Sequence, residues 1–397
     1  MEQVNNYNKK EHKYDYIILV FIVLWSGGGF TYGLFTHWMI YFLPVIALYF
    51  IKRRCRFFKY DVLYILCVFV ILFFQTLKFS GSVVSIIPPL FTVITIIMVA
   101  KMLSQKFPVI FVNFIYCISK ICLLLWIICL IPFGLSLLRS IASSLPLLGW
   151  DNIENNTNVV DTLYVFSIPR DFVGFMRNSG PFWEPGRYTI YITLALAINL
   201  FYNRESIISK RNIVLIISNI TTFSTTGYVS MGILLLGYSL YSDMKIYKKI
   251  LLCLFIVIAA LYVSQLDFMS EKIQAQSSDV DVAWSRFGAI TYHWSQIIKS
   301  PYIGYGPHLI NAGFVELLTS PNGITDLIRY YGIPFSIFLY YLLYKGLRIY
   351  IGKNRGQRCI VFCALLTLCF SQTITYSPFF YLLYSFALTN NKLSYEK

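Results

Sequence analysis

Apolar runs of about twenty residues recur along the whole chain, each ended by a basic or polar break. A hydrocarbon core about 30 Å thick needs roughly 20 mostly apolar residues per helical crossing. Inside it the backbone has no hydrogen-bond partner except itself. A chain patterned this way folds as a bundle of membrane-spanning helices. Composition agrees, with 57% hydrophobic and only 13% charged residues among 397, against about 25% charged in soluble domains. An ordinary soluble enzyme of this length needs far more polar surface to cover its core. A disordered chain and a secreted disulfide scaffold are excluded on the same grounds.

The runs predict spans at 16–35, 37–51, 61–79, 83–103, 108–133, 188–203, 212–225, 227–242, 248–266, 324–344, 359–376 and 378–390. The expected fold class is an all-α polytopic membrane protein with about twelve transmembrane helices, one integral-membrane domain over 1–397. Two long polar-bearing stretches remain, 134–187 and 267–323. They are expected to be large extracytoplasmic loops. The first apolar run is expected to be a retained helix, since no small-residue cleavage site follows it. The segment 212–242 is short for two crossings. It is expected to hold two short helices joined at the outer tip by Thr225, Thr226 and Gly227, because a single crossing inverts every later loop.

The net charge of +15 suggests nucleic acid on a soluble protein. Here it fits the excess of Lys and Arg in cytoplasmic loops. With the N-terminus inside, the cytoplasmic segments carry 23 basic and seven acidic residues, a net +16, against −1 for the rest. The imbalance falls on one side, which supports both the count and cytoplasmic N- and C-termini. None of the nine cysteines forms a CxxC pair, so they read as small apolar packing groups. No internal repeat marks the chain as an inverted-repeat transporter.

The chemistry is expected in the outer stretches, since long loops in compact bundles are usually functional. The first ends in Arg177-Asn-Ser-Gly-Pro-Phe-Trp183-Glu184-Pro185-Gly186-Arg187. Pro185 suits the first turn of a helix, and Glu184 then sits at its N-cap, favoured by the dipole. Capping accounts for Glu184 but not for Arg187, a cation in a first turn, or for Arg177 nearby. Two guanidinium groups beside free helix N–H groups make an anion site. The second stretch holds Arg286, His293, Trp294, a Ser300-Pro-Tyr-Ile-Gly304-Tyr-Gly306-Pro-His308 segment and Asn322. The Gly-Tyr-Gly reads equally as a tight turn. Arg329 repeats the anomaly of Arg187, although Asp326 three residues earlier offers a structural pair. The tip Thr221–Gly227 is rich in hydroxyls, which either satisfy a helix break or line a sugar site.

These segments, in this order, resemble the O-antigen polymerase and O-antigen ligase superfamily of bacterial membrane glycosyltransferases. The Arg177…Gly180…Phe182…Glu184-Pro185-Gly186 block is similar to the motif closing its first large periplasmic loop. Thr222-Phe-Ser-Thr-Thr-Gly227 is similar to its hairpin. Ser285-Arg286, Trp294 and Pro301…Gly304-Tyr-Gly306 resemble its second loop. Pro321 stands where ligases carry a histidine, which favours the polymerase branch. The resemblance covers roughly 170–335 by motif and the full chain by topology.

The resemblance implies a polymerase at the outer face of the bacterial inner membrane. It joins undecaprenyl-pyrophosphate-linked oligosaccharide repeat units into O-antigen, capsule or exopolysaccharide, without metal or other cofactor. A chain-length regulator, a flippase and the lipid bilayer are the implied partners. Arg177, Arg286, Arg329 and Arg187 are expected on the pyrophosphate. Trp183, Trp294, Asn322 and Asp326 are expected on the glycan. Glu184 is the expected general base, with His308 and His293 as rivals. The alternatives are a ligase passing the finished glycan to an acceptor and a lipid-linked oligosaccharide flippase. A flippase calls for cations along a central cavity, whereas Lys120 is the one deep mid-span cation.

Overall fold

The computed structural model describes residues 9–28, 37–145, 160–169, 176–265, 286–306, 309 and 322–389. Among these, the helices are α1 (Lys9–Trp25), α2 (His37–Lys52), α3 (Lys59–Lys78), α4 (Ile87–Leu103), α5 (Phe107–Cys129), α6 (Pro132–Ser143) and α7 (Pro185–Ala197). There follow α8 (Lys210–Thr221), α9 (Thr225–Tyr241), α10 (Ile246–Ser264), α11 (Arg286–Lys299), α12 (Gly323–Tyr350), α13 (Arg355–Cys369) and α14 (Pro378–Ser385). A small antiparallel ribbon pairs β1 (Val160–Thr162) with β2 (Ser167–Pro169), with Asp161 opposite Ile168.

The protein is mostly helical, and each expected span overlaps a helix. Three helical segments are both long and apolar enough to cross a membrane unaided: Lys59–Lys78, Val83–Leu103 and Phe107–Cys129. Of the others, α12 has 28 residues but is kinked at Gly332, and several are much shorter. At about 1.5 Å per residue, the 12 residues of α8 span only about half a hydrocarbon core. The expected pair of short helices in 212–242 is present, but the turn lies at 222–224, and Thr225–Gly227 is the first turn of α9. Ser224 caps α9 by accepting from the Gly227 N–H at 3.3 Å. The expected span 359–376 needs correction, because α13 ends at Cys369 and residues 371–377 are a polar connection to α14.

The centre of the core is α7, which packs on α5, α8, α9 and α13. Tyr188 through Ala197 are buried on every side, the pattern of a helix enclosed by others. Its hydroxyls are used internally. Thr189 donates to the Gly186 carbonyl (2.7 Å), and Thr193 accepts from Asn219 (3.2 Å). A Cβ on Gly227 would lie 2.7 Å from Thr189, so glycine lets α9 close against α7.

The two ends of the bundle differ chemically. At one end, buried Asp15 takes Arg53 and Lys106 at 3.0 Å each, and buried Asp61 takes Lys101 at 2.7 Å. A buried carboxylate is tolerated only with such partners. Asp61 also accepts from the Phe58 N–H at 2.5 Å at the start of α3. At the other end, polar connections run between the helices, together with the buried pair Asp326–Arg329.

Candidate functional site

At that second end the strap 176–187 lies across the helix tips. Trp126 donates to the Met176 carbonyl at 2.8 Å. The Asn178 N–H donates to the Thr221 carbonyl at 2.9 Å, and its side-chain amide to Thr221 Oγ1 at 3.0 Å. Arg177 Nε donates to the Thr222 carbonyl at 3.1 Å. Gly180 has φ +58°, and a Cβ there would lie 2.8 Å from the Tyr188 ring. Only glycine allows the strap to turn down onto α7. The hydroxyls of the α8–α9 turn serve the backbone, with Thr221 donating to Ser218 O and Thr222 to Asn219 O.

The strap delivers Trp183, Glu184 and Arg187 to the start of α7. Glu184 has the extended backbone of an N-cap residue, but its side chain makes no capping hydrogen bond. Its Oε1 instead accepts from Gln372 Nε2 at 2.9 Å. Arg187 stacks over the Trp183 ring, 4.9 Å from its centroid. Its two terminal nitrogens reach the carbonyls of Ser26 and Thr373, each at 3.4 Å. Its Nε is buried without a hydrogen-bond partner, and no carboxylate lies within 4.0 Å of it among the described residues. Glu184 and Arg187 thus stand one helical turn apart without pairing.

Arg329 is placed differently. It is 2% exposed and bonded to Asp326, and it donates to Gln296 Oε1 at 3.4 Å. The structural pair with Asp326 is therefore formed, and its charge is neutralised inside the fold. His293 closes this cluster, with Nδ1 2.7 Å from Thr325 Oγ1 and Nε2 3.8 Å from Asp326 Oδ1. Burial, then repulsion from Arg329, lowers the His293 imidazole to about 3, so it is neutral. Asn322 caps α12, accepting from the N–H groups of Ile324 (3.1 Å) and Thr325 (3.2 Å). Trp294 projects from α11 and is 53% exposed. Arg286 begins α11. Its side chain, His308 and Pro321 lie outside the described residues.

The Gly-Tyr-Gly segment is a docked turn rather than a phosphate loop. Tyr305 and Gly306 donate to the carbonyls of Arg329 and Tyr330, both at 2.9 Å, and Ile333 donates to Pro301 O at 2.7 Å. Gly304 (φ +66°) and Gly332 (φ +75°) face these contacts, where a Cβ would meet backbone at 2.5 and 2.4 Å. The outcome is a kink in α12 at Gly332.

The sequence reading missed the connection 371–377, which joins both clusters. Ser371 pairs with Thr226 at 2.7 Å. Gln372 holds Glu184, and Thr373 O receives Arg187. Thr375 donates to Gly323 O at 2.8 Å, at the start of α12. The Tyr376 ring packs edge-on against Tyr330 at 4.7 Å. Beyond it, the Phe379 N–H donates to Ser26 Oγ at 2.7 Å, which brings in the end of α1. The signal was the hydroxyl-rich run Ser371-Gln-Thr-Ile-Thr-Tyr-Ser377 between two apolar segments.

Chemically, the arrangement offers a carboxylate held by an amide, an uncompensated guanidinium at a helix N-terminus, and an aromatic face beside them. Among the described residues, no three His, Cys, Asp or Glu side chains gather into a metal-binding set. No family model, curated protein or solved structure matches the chain.

Proposed function

We propose that the protein is a membrane glycosyltransferase that polymerises polyprenyl-pyrophosphate-linked oligosaccharide repeat units at the outer face of the bacterial inner membrane. Twelve crossings with both termini inside belong to this reading. Its support is the charge partition of the sequence and the segregation of Asp15, Asp61 and their basic partners to the end opposite Glu184.

The observation that carries the chemistry is the unpaired couple Glu184 and Arg187. Two opposite charges one turn apart on a half-buried helix start ordinarily pair, because an unpaired charge taken from water is costly. A substrate that uses both relieves that cost. In the proposed reaction an acceptor sugar hydroxyl attacks the anomeric carbon of the donor. The new C–O bond forms as the bond to the pyrophosphate breaks. The hydroxyl proton passes to Glu184. The negative charge left on the pyrophosphate is met by Arg187 and Arg177 and by the N–H groups that open α7. Trp183 offers its ring to a sugar face. Arg329, paired with Asp326, shapes the wall between α11 and α12.

The test is purified protein in phospholipid vesicles supplied with polyprenyl-pyrophosphate-linked repeat units. A ladder of lengthening lipid-linked glycans, with release of polyprenyl pyrophosphate, is expected. In the producing bacterium, loss of the protein leaves single repeat units on the final acceptor. Long lipid-linked chains accumulating instead indicate a ligase, and repeat units trapped inside indicate a flippase. Either result overturns the proposal.

A further inference from the structure

A cavity lies away from the candidate site, on the flank of the bundle. It is a groove of about 950 Å³ between α3 and the second half of α12, closed at its foot by residues 386–389. The second half of α12 begins beyond the kink at Gly332, and Pro334 lines the groove. Its walls are apolar and aromatic, including Leu63 and Phe335. Tyr64 and Phe335 stack in its floor at 6.5 Å. Along α3 it runs from Tyr60 to Ile71, about 16 Å at the α-helical rise.

The groove ends in two cations, Lys345 and Arg348. Both are exposed. Neither has a carboxylate within 4.0 Å among the described residues, and Lys345 lies over the Tyr341 ring at 5.9 Å. Three other basic residues at this end of the bundle have carboxylate partners. Arg53 and Lys106 are on Asp15, and Lys101 is on Asp61. A long apolar trough that finishes in a doubled, uncompensated positive charge complements an anionic amphiphile. Basic pockets between helices at the cytoplasmic level recognise such head groups.

We propose that this groove is a binding site for an anionic phospholipid of the cytoplasmic leaflet. Its phosphate lies between Lys345 and Arg348, and one acyl chain runs up the groove past Leu63 and Phe335. The inference rests on the membrane orientation given above and is independent of the polymerase chemistry.

The test is reconstitution in vesicles of equal phosphatidylglycerol and phosphatidylethanolamine. Transfer to mild detergent and native mass spectrometry of the retained lipid follow. Wild type is expected to retain phosphatidylglycerol with a preference of roughly thirtyfold, as two basic residues at an anionic surface supply. The double variant Lys345→Gln/Arg348→Gln, at exposed positions, should lose most of that preference. Arg54→Gln/Arg56→Gln, which removes equal charge at exposed positions off the groove, should keep it. Leu63→Trp should reduce retention with both cations intact. Equal retention of the two lipids by wild type overturns the proposal. So does an unchanged preference in the Lys345/Arg348 variant, or a groove that takes added polyprenyl phosphate in place of phosphatidylglycerol.

Discussion

Gln372 Nε2 donates a 2.9 Å hydrogen bond to Glu184 Oε1, across 188 residues of chain and into the space left by a glycine. A Cβ on Gly186 would lie 2.3 Å from that same nitrogen. The start of α7 is thus cut away so that an amide from the far end of the chain reaches the carboxylate. Since the Glu184 side chain makes no capping bond, its conservation of helix stability is minor and its substitution isolates the chemistry.

Glu184→Gln keeps an acceptor for Gln372 and removes the charge. We expect glycan-ladder formation to fall by roughly 100-fold or more, the usual scale of a lost general base, with an unchanged melting temperature. Glu184→Asp should retain partial activity. Gln372→Ala and Gly186→Ala should both lower the rate of ladder formation, because each frees or displaces the carboxylate. A Glu184→Gln enzyme that polymerises at the wild-type rate returns Glu184 to a structural role.

Arg187 is held by two carbonyl contacts at 3.4 Å and by the Trp183 ring. Its replacement by Ala should cost about 1 kcal/mol of stability, the scale of such a stacking contact, yet abolish polymer. Arg187→Lys should rescue poorly, because a point charge lacks the bidentate fork. Arg177→Ala should behave likewise. Assay of lipid-linked repeat units, which should persist, separates loss of catalysis from loss of substrate. Normal polymer length in Arg187→Ala removes it from the site.

The orientation is checked by thiol labelling in a background lacking the nine free cysteines. A cysteine at Val165, exposed in the turn between β1 and β2, should react with an impermeant reagent on intact spheroplasts. A cysteine at Lys353 should react only after lysis. The reverse labelling overturns the topology.

Much of this was legible in the sequence, for identifiable reasons. Hydropathy and the Lys/Arg bias act locally, so helices such as α3, α4 and α5 stand out. The Glu184-Pro185 start of α7 was legible because proline and the N-cap are local signals. The connection 371–377 was not. Its neighbours α13 and α14 have 15 and 8 residues, and a hydropathy window reads straight across it. Ser371 and Thr375 are buried because their hydroxyls find partners on other helices, which composition does not encode. The role of Arg329 was half legible. The i,i+3 spacing announced Asp326, but the burial that makes the pair structural comes from α11, through His293 and Gln296.

Breaking the Asp326–Arg329 pair from one side tests that structural role. Asp326→Asn leaves a guanidinium that is 2% exposed without a counter-charge, and stability should fall by about 3–5 kcal/mol. The volume-matched double change Asp326→Leu/Arg329→Met should recover most of the loss. If the single variant melts like wild type while polymer disappears, Arg329 serves the substrate rather than the fold.

The last expectation concerns acid. His293 sits beside both Asp326 and Arg329, and its imidazole is lowered from 6.5 to about 3, first by burial and then by Arg329. Asp326, 3.8 Å from the ring, is shared with Arg329. In the unfolded chain the ring binds a proton near its ordinary value, while the folded protein refuses one until much lower pH. The unfolded state therefore binds more protons between these limits, and stability falls as pH falls. The contribution is complete above 6.5 and declines progressively toward about 3. Thermal unfolding in detergent across this window should show a steeper acid loss for wild type than for His293→Asn. The variant keeps a polar group facing Thr325 and has nothing to titrate. Parallel pH profiles for the two proteins would mean that the ring accepts its proton without opening the cluster, and that α11 is less firmly seated on α12 than the 2.7 Å contact between His293 and Thr325 requires.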